Sequence, residues 1–329
     1  MKHWMKLSCA MSAALAAASL SGAARPQSAG DYPARTISVV VGFPPGTATD
    51  TVARLLCERL APRIGKPCVI DNKAGQGGSI GAAFAAAAAP DGHTLVLSAT
   101  APLAINPNLY ARLAYDPRRD FAPIGLVSWL PFVLVTNPRT GINSVQELIA
   151  HANARPDRLS YASIGNGSTS HLLMSMLLQQ TGVRIVHIPY KGSAQSQTDL
   201  IAGQVDLTFD TMLTAMPHVR SGRLKALATS GIRRSPFAPE IPTVDEQGVA
   251  GFDAGAWLGL LAPAGTPKSI VDKLNRELNA ILAEPETRKR LLDLGSEPMS
   301  GTPEEFAAHI ATEYVKWGQR VRESGAKIE

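Results

Sequence analysis

The chain has 329 residues, of which 45% are hydrophobic and 18% are charged, a composition typical of a globular protein that excludes a largely disordered one. Its length allows two domains with a core each. The formal net charge of +5 is small and dispersed, and no Lys/Arg-rich run interleaves with aromatic residues, which excludes a nucleic-acid-binding protein.

The N-terminus has the pattern of a secretory signal peptide. Lys2 and Lys6 precede the apolar stretch LSCAMSAALAAASL, which ends in small residues, so we predict a leader over residues 1–24 with cleavage after Ala23 or Ala24. The stretch is too short and too rich in alanine for a membrane span. Loss of the two lysines lowers the net charge from +5 to +3. We therefore expect an exported, soluble mature protein.

Strand and helix patterns alternate after the leader. In chain order, we predict a strand over Thr36–Val41, a helix over Asp50–Ile64, a strand over Cys68–Asp71, a helix over Ser79–Ala89 and a strand over Thr94–Ser98. This β-α-β-α-β series is typical of a mostly parallel sheet.

A second α/β series lies between two long extended stretches. The first stretch, Phe121–Thr136, is broken by Pro131 and predicts two strands with a crossing between them, and the second is Phe252–Leu261. Between them we predict helices over Ser144–Ala154, Thr169–Thr181 and Ala194–Ala202, and strands over Leu159–Ser163, Arg184–Ile188, Val205–Phe209 and Leu224–Thr229. The tail is predicted helical over Lys268–Ala283, Glu286–Leu294 and Pro303–Val321, the last opening with a capping box.

Two crossings around an α/β middle indicate a chain that leaves one domain, builds another and returns. We predict domain 1 over residues 31–130 plus 256–329 and domain 2 over residues 131–255. A double crossing of this kind forms a hinge with a ligand cleft between the domains.

Two cysteines, Cys57 and Cys68, remain after removal of the leader. In an oxidising compartment they can form a disulfide between the first helix and the next strand. The alternative is a pair of buried thiols, because sequence spacing does not fix the distance between the Cα atoms.

Two loops between a strand and a helix have the composition of anion sites. The first, FPPGTATD, covers residues 43–50, and the second, IGNGSTSH, covers residues 164–171, with Ser168 as a natural N-cap. Backbone N–H groups at a helix start bind anions. Because one loop belongs to each predicted domain, closure of the cleft brings two helix starts onto one anion. A carboxylate fits better than a phosphate, since neither loop contains arginine or lysine.

Other polar residues follow strands at the same edge. Thr100 and Asp210 are predicted to contact the ligand, with Asp210 as an acceptor for an amino or hydroxyl group. The alternative for Asp210 is to cap the next segment. Lys191 either supplies a charge or is a solvated turn residue.

Enzyme motifs have weak support. The pattern GGSIG around Ser79 matches G-x-S-x-G, but no strand runs directly into it, so Ser79 is better interpreted as a helix cap than as a hydrolase nucleophile. The glycines of AGQGGSIG fail the dinucleotide-binding pattern, a P-loop is missing, and the histidines have no metal-ligand spacing. We predict no enzyme activity, no cofactor and no metal.

An ordered set of motifs resembles the Bug (TctC-like) family, the periplasmic solute-binding proteins of tripartite tricarboxylate transporters. The set runs from about residue 33 to the C-terminus and comprises FPPGTATDTVARLL, VIDNKAGQGGSIG, PDGHTL, INPNLYARLAYDPRRDFAPIG, YASIGNGSTSHL, VHIPYKGSAQSQTDLIAGQVDLTFD, GRLKALATS, PTVDEQGVAGFDAGAW and LAPAGTP. The resemblance implies a two-domain, type II periplasmic-binding-protein (Venus-flytrap) fold, a periplasmic location and a membrane permease as partner. We expect a monomer that binds a small carboxylate, with dicarboxylates as the first candidates.

The resemblance also implies that a ligand carboxylate is held, partly through water, between the loops Phe43–Asp50 and Ser163–Thr169. Together with the residues after other strands, the predicted ligand-binding set is Phe43, Gly46, Thr47, Thr49, Asp50, Thr100, Ser163, Gly165, Asn166, Ser168, Thr169 and Asp210. The family usually reads P-P-G-G where this chain has Thr47 after Gly46. The threonine either adds a hydroxyl contact or blocks a backbone approach.

Two other functions fit parts of the pattern. A ligand sensor would use the same cleft but dock on a signalling partner. An α/β hydrolase, much less favoured, would depend on Ser79.

Overall fold

The computed structural model describes residues 32–324, which form α-helices around two β-sheets; the predicted leader over residues 1–24 lies outside them. The first elements are β1 (Ile37–Val41), α1 (Ala48–Ile64), β2 (Cys68–Asn72), α2 (Ser79–Ala86), β3 (Thr94–Ala99), α3 (Asn106–Leu109) and β4 (Phe121–Leu130). The middle elements are β5 (Phe132–Thr136), α4 (Val145–Ala154), β6 (Ser160–Ser163), α5 (Thr169–Thr181), β7 (Val186–Pro189), α6 (Ser193–Ala202), β8 (Leu207–Thr211), α7 (Met212–Arg220) and β9 (Lys225–Thr229). The last are β10 (Ala256–Pro263), α8 (Lys268–Ala283), α9 (Pro285–Asp293), β11 (Glu297–Pro298) and α10 (Pro303–Ser324).

The two sheets are mixed rather than mostly parallel. The six-stranded sheet has the order β11-β4-β10-β3-β1-β2, and the five-stranded sheet has the order β7-β6-β8-β5-β9. The β-α-β units pair in parallel, as predicted, whereas β10 is antiparallel to β3 and β4, and β5 is antiparallel to β8 and β9. We call each sheet with its helices a lobe.

The chain passes between the lobes twice at neighbouring positions. It leaves the first lobe at Pro131, between β4 and β5, and returns between β9 and β10. The two passages lie side by side because β4 and β10 pair, with Ala256 opposite Leu130. On the other side, the Ser230 N–H donates to the Phe132 carbonyl at 2.9 Å, and the Phe132 N–H donates to the Ser230 hydroxyl at 3.2 Å. This arrangement agrees with the predicted double crossing; the domain boundaries stay a prediction.

Apolar side chains of the strands form the core of each lobe. Val40, Leu95 and Leu260 are buried in the first lobe, and Val133 and Phe209 in the second. Burial of each such side chain contributes about 1.5–3 kcal/mol relative to exposure. The strands are therefore rigid supports for the loops at their carboxyl ends.

Most predicted elements are present, with shifts of a few residues at their ends. Helix α1 begins at Ala48 rather than Asp50, and α2 ends at Ala86 rather than Ala89. The prediction missed α3, α7 and β11. The capping box of α10 is present, since the Glu305 N–H donates to Thr302 Oγ1 at 3.1 Å and the Thr302 N–H donates to Glu305 Oε2 at 2.8 Å.

The interpretation of Ser79 as a helix cap is wrong. Gly78 occupies the N-cap position of α2 with φ of 96°, and Ser79 is the first helical residue. The Ser79 hydroxyl instead accepts a hydrogen bond from Asn106 Nδ2 at 2.8 Å and one from the Tyr115 hydroxyl at 3.2 Å. Ser79 is 2% exposed, an unsuitable position for a nucleophile.

The structure joins Cys57 and Cys68 in a disulfide, with their Cα atoms 5.1 Å apart. This bond links α1 to β2. Of the two alternatives that the sequence left open, the structure has the bridged one.

Candidate functional site

The first loop is folded by its own side chains. Thr47 is the N-cap of α1; its hydroxyl accepts from the Asp50 N–H at 3.4 Å and donates to the Pro44 carbonyl at 2.9 Å. The Asp50 carboxylate reaches back to accept the Gly46 N–H at 2.9 Å. The Thr47 hydroxyl is therefore engaged within the loop rather than added as a ligand contact.

The charge of Asp50 is balanced by residues of α1 and β2 next to the loop. Arg54 donates two hydrogen bonds of 2.9 Å to this carboxylate, and Asn72 Nδ2 donates one of 2.9 Å. Burial alone raises the pKa of Asp50, but the hydrogen bonds it accepts, that of Arg54 foremost, outweigh burial and hold the pKa below its ordinary value. Asp50 is thus ionised and paired, and it positions the loop rather than contacting an anion.

The second loop repeats this architecture with neutral groups. Ser168 is the N-cap of α5; its hydroxyl accepts from the His171 N–H at 3.4 Å and donates to the Gly165 carbonyl at 2.6 Å. The Gly167 N–H donates to His171 Nδ1 at 3.3 Å.

A stack of three rings supports the second loop from below. His187 lies between Tyr161 and His171, with ring centroids 4.7 Å and 4.3 Å away. Its Nε2 is 2.7 Å from the Ser163 hydroxyl. Burial lowers the pKa of both histidines to about 4, with the proximity of His171 contributing at His187. Both rings are therefore neutral at pH 7.

A small chamber lies where the two loops face each other. Its volume is 40 Å³, and it is lined by Phe43, Thr47, Ala48, Thr49, Ala99, Leu130, Phe132, Ile164, Thr169, Ser193, Thr211 and Ala256. A cavity needs about 10–15 Å³ per water, so the chamber accepts about three water-sized groups, the size of a carboxylate.

The starts of four helices meet at this chamber. Ala48 and Thr49 open α1, Thr169 opens α5, Ser193 opens α6, and Thr211 is the N-cap of α7. The first N–H groups of a helix have no intrahelical acceptor, and helix dipoles favour negative charge at this end. No Asp, Glu, Lys or Arg side chain lines the chamber. The arrangement suits a single anionic group bound by backbone N–H donors.

Two wider cavities of 510 Å³ each adjoin the chamber. The glycine wing, which shares Phe43 and Ile164 with the chamber, is lined by Gly42, Phe43, Pro44, Ala74, Gly75, Gln76, Gly77, Gly78, Tyr110, Ile164, Gly165, Asn166, Tyr190 and Lys191. The proline wing, which shares Thr47 and Ser193 with the chamber, is lined by Pro44, Pro45, Gly46, Thr47, Gly192, Ser193, Ala194, Gln197, Thr198, Ile201, Thr214, His218 and Arg223.

The structure brings most of the predicted site residues together. Phe43, Thr47, Thr49 and Thr169 line the chamber, Gly46 lines the proline wing, and Gly165 and Asn166 line the glycine wing. Asp50, Ser163 and Ser168 lie behind the loops, where their side chains hold the backbone.

Two predicted residues lie away from the cavities. Thr100 is fully buried, and its hydroxyl accepts the Trp257 N–H at 2.8 Å. Asp210 is 1% exposed and accepts hydrogen bonds from Ser193, Gln197 and Thr211. Because their polar atoms are already bonded within the protein, we leave both out of the direct ligand contacts.

The chamber residues Ser193 and Thr211 are not among those predicted from the sequence. Thr211 was missed because the predicted strand ended at Phe209 and no helix was predicted after it. Ser193 follows Gly192 at the start of α6, a signal like that of the other two loops. Apolar lining residues such as Leu130 and Ala256 come from the two passages between the lobes and had no local signal.

Residues 32–324 contain no cluster of three His, Cys, Asp or Glu side chains placed to hold a metal ion. Within the same residues, no helix is both long and apolar enough to cross a membrane.

Comparisons with known proteins place this cleft in a family. The family model described as "Tripartite tricarboxylate transporter family receptor" matches residues 52–326, starting just after the first loop. The periplasmic binding protein BugD has 37% identity to this chain and a TM-score of 0.85, and the similarity covers 91% of this chain and 100% of BugD.

Two further solved structures contain carboxylates. Rpa4515 of R. palustris, solved with adipate, is 35% identical with a TM-score of 0.87, covering 91% of this chain and 100% of that one. MatC (Rpa3494) from Rhodopseudomonas palustris, solved with bound malate, is 35% identical with a TM-score of 0.83, covering 88% and 100%. The α/β fold with two sheets is thus that of periplasmic binding proteins.

Proposed function

The chain belongs to the tripartite tricarboxylate transporter receptor family, the Bug (TctC-like) solute-binding proteins, and on that premise we propose that it captures a small carboxylate between its lobes. A dicarboxylate is the first candidate, because adipate and malate, found in two similar structures, are both dicarboxylates. The observation that carries the proposal is the convergence of four helix starts on one uncharged chamber of carboxylate size.

The expected affinity follows from the donors. One helix start favours an anion by about 0.3–1 kcal/mol, or up to about 2 kcal/mol when partly buried. Hydrogen bonds to a charged group add about 1.5–3 kcal/mol each. After the cost of association, several such donors support roughly micromolar binding, about −8 kcal/mol.

The biological role that we propose is delivery. The protein is exported to the periplasm, closes on its ligand and presents the closed form to a tripartite tricarboxylate-type membrane permease. Capture of membrane proteins by the ligand-loaded form tests this step. Recovery of a permease supports delivery, whereas recovery of a signalling receptor instead identifies a sensor.

A thermal-shift screen of the mature protein against mono-, di- and tricarboxylates and aromatic acids tests ligand binding. A ligand at 100 times its Kd adds about 2.7 kcal/mol of stability, which is roughly 5–10 °C in Tm for a chain of this size. The proposal is contradicted if no carboxylate of the panel raises the Tm and the denatured protein releases no carboxylate.

A pair of charge variants locates the ligand. Thr49→Asp puts a carboxylate at a chamber-lining position, so we expect the ligand-induced shift to disappear. Thr51→Asp adds the same charge in the same helical turn but at a residue that does not line the chamber, so the shift should largely persist. Equal losses in both variants would place the ligand elsewhere.

A further inference from the structure

The proline wing, defined above by its lining, lies between the first loop and the helices α6 and α7. Thr47 and Ser193 line both this wing and the chamber, so the wing adjoins the site of the anchored carboxylate. Since the chamber holds only a carboxylate, the rest of any larger ligand must occupy one of the two wings.

A buried amide oxygen in the proline wing has no partner. Gln197 is 3% exposed, and its Nε2 donates to Asp210 Oδ2 at 2.8 Å, which fixes the orientation of the amide. Its Oε1 makes no hydrogen bond with any residue in the range 32–324. Buried acceptors of this kind are nearly always bonded in native proteins, so this oxygen calls for a donor from outside the chain.

The same wing is electropositive. Arg223 is exposed at its mouth, donates to the Ser221 hydroxyl at 3.1 Å and forms no ion pair with a carboxylate of the described residues. Helix α6 begins here after Gly192, which has no side chain to cap the first N–H groups. No Asp or Glu lines the wing. These groups suit a second carboxylate.

The glycine wing is less well equipped for the distal half of a ligand. Its cation is Lys191, and its tyrosines are already engaged, Tyr190 with Asp199 at 2.8 Å and Tyr110 with the Asn166 carbonyl at 3.4 Å. None of its lining side chains carries a buried polar atom that lacks a partner among the described residues.

We propose that the distal half of the ligand lies in the proline wing, where Arg223 and the start of α6 bind a second carboxylate and Gln197 Oε1 accepts a hydrogen bond from the ligand. This rests on the proposed function. It makes Gln197 and Arg223 specificity-determining residues and the ligand a dicarboxylate that carries a neutral donor, a hydroxyl group.

A hydroxyl fits this position better than an ammonium group. A buried ammonium needs an ionised carboxylate nearby. The carboxylate bonded to Gln197 is Asp210, whose two oxygens already accept hydrogen bonds from Ser193, Gln197 and Thr211. The hydroxyl needs only the Gln197 oxygen.

Calorimetric titration with matched acid pairs tests the inference. The pairs are succinate with malate and glutarate with 2-hydroxyglutarate, and butyrate is the monocarboxylate reference. For the chain length that binds, the hydroxylated member should bind about 2- to 13-fold more tightly, which is the worth of one net hydrogen bond.

Two pairs of variants assign the contacts. Arg223→Gln should weaken dicarboxylates about tenfold and leave butyrate unchanged, whereas Lys191→Gln, which removes the cation of the other wing, should change neither. Gln197→Met should abolish the preference for the hydroxylated member. Lys191→Gln, at a residue that lines the other wing, should keep that preference.

The outcomes are distinct. Loss of dicarboxylate affinity in Lys191→Gln but not in Arg223→Gln would place the distal half in the glycine wing and overturn the inference. So would tight binding of succinate or glutarate with no gain from the hydroxyl; either result leaves the proposed function intact. A wild-type protein that binds no acid of the panel overturns both.

Discussion

The first loop, residues 43–50, and the second loop, residues 164–171, each contain the start of a helix. In both, the side chain of the third helical residue accepts a hydrogen bond from the N–H of the residue that precedes the N-cap. In the first, Asp50 accepts from Gly46 at 2.9 Å, and in the second, His171 accepts from Gly167 at 3.3 Å. Asp50 carries a charge that Arg54 offsets, whereas His171 is a neutral ring stacked on His187.

The difference shows two ways to shape an anion site without placing an uncompensated charge in it. A carboxylate at a helix start would compete with the ligand for the dipole, and its pairing with Arg54 removes that competition. The imidazole is neutral above its pKa, so it needs no counter-ion. Once it is protonated, its Nδ1 can no longer accept the hydrogen bond from the Gly167 N–H. We therefore expect the loops to respond differently to mutation and to acid.

The largest effect is expected from Asp50→Ala. This change removes the acceptor for Gly46, Asn72 and Arg54 at a residue that is 2% exposed, so the free energy of unfolding should fall by about 3 kcal/mol. Glu147 makes the same kind of contact at the start of α4, where it accepts the Asn143 N–H at 2.7 Å on the exposed surface. Glu147→Ala should therefore cost less than about 1 kcal/mol. Equal losses in denaturant unfolding would refute a special role for the buried carboxylate.

The next effect is the response to acid. In the unfolded chain His171 and His187 bind protons near pH 6.5, but in the folded protein their pKa is about 4. The unfolded state therefore binds more protons between these values, and stability should fall as the pH drops from 6.5 to 4, by about 1.4 kcal/mol per unit of pKa difference at most. The contribution of Asp50, whose pKa is lowered, is complete above pH 3.8 and is lost only below it.

The pH dependence of ligand affinity distinguishes His171 in the second loop from histidines elsewhere in the protein. His171→Gln keeps a side-chain acceptor for Gly167 but does not titrate, so its affinity should depend less on pH than that of the wild type. His309, another half-buried histidine with a lowered pKa, lies on α10, and His309→Gln should leave the pH dependence of affinity unchanged. An identical pH dependence in all three proteins would exclude His171 as the acid-sensitive group.

A smaller effect is expected from alanine substitutions at one glycine of each loop, because the space around the added Cβ differs. Gly46 and Gly167 have φ of 80° and 75°, so alanine at either position costs about 1–2 kcal/mol of backbone strain. A Cβ at Gly46 has open space, but one at Gly167 would lie 2.9 Å from Leu109 Cδ2 in the other lobe. Gly167→Ala should therefore also hinder closure and weaken ligand binding about tenfold, which calorimetry would detect. Comparable affinities of the two variants would mean that the lobes do not close through Gly167.

The smallest effect concerns the caps. Thr47→Ala and Ser168→Ala each remove a side-chain cap worth about 1 kcal/mol. Each hydroxyl also donates to a carbonyl of its own loop, but Ser168 is fully buried whereas Thr47 is 8% exposed, so the loss in Ser168→Ala should be the larger of the two in thermal unfolding. A larger loss in Thr47→Ala would contradict the order of burial.

The sequence predicted the alternation of strands and helices and the two loops, because period, caps and glycine positions are local signals. It did not predict the antiparallel pairing of β10 and β5, which depends on the direction in which the chain enters each sheet. The role of Asp50 as an internal acceptor was not predicted, because it depends on Arg54 one turn further along α1 and on Asn72 in β2. The internal hydrogen bonds of Thr100 with Trp257 and of Asp210 with Gln197 were likewise not predicted, because these partners are distant in sequence.

The residues that line the two wings could not be predicted from the local sequence pattern. Gln197 reads as an ordinary polar helix residue, and only the packing of α6 shows that its amide is buried beside Asp210. Arg223 follows a turn and gains its position from the adjacent α7.

The most direct test of a carboxylate held between the two helix starts is an NMR titration of the backbone amides with the tightest dicarboxylate of the thermal-shift screen. The account predicts that the N–H signals of Ala48 and Thr49 in α1 and of Thr169 and Ser170 in α5 shift together, with one shared Kd. Shifts confined to one loop, or centred on residues outside the chamber, would contradict it.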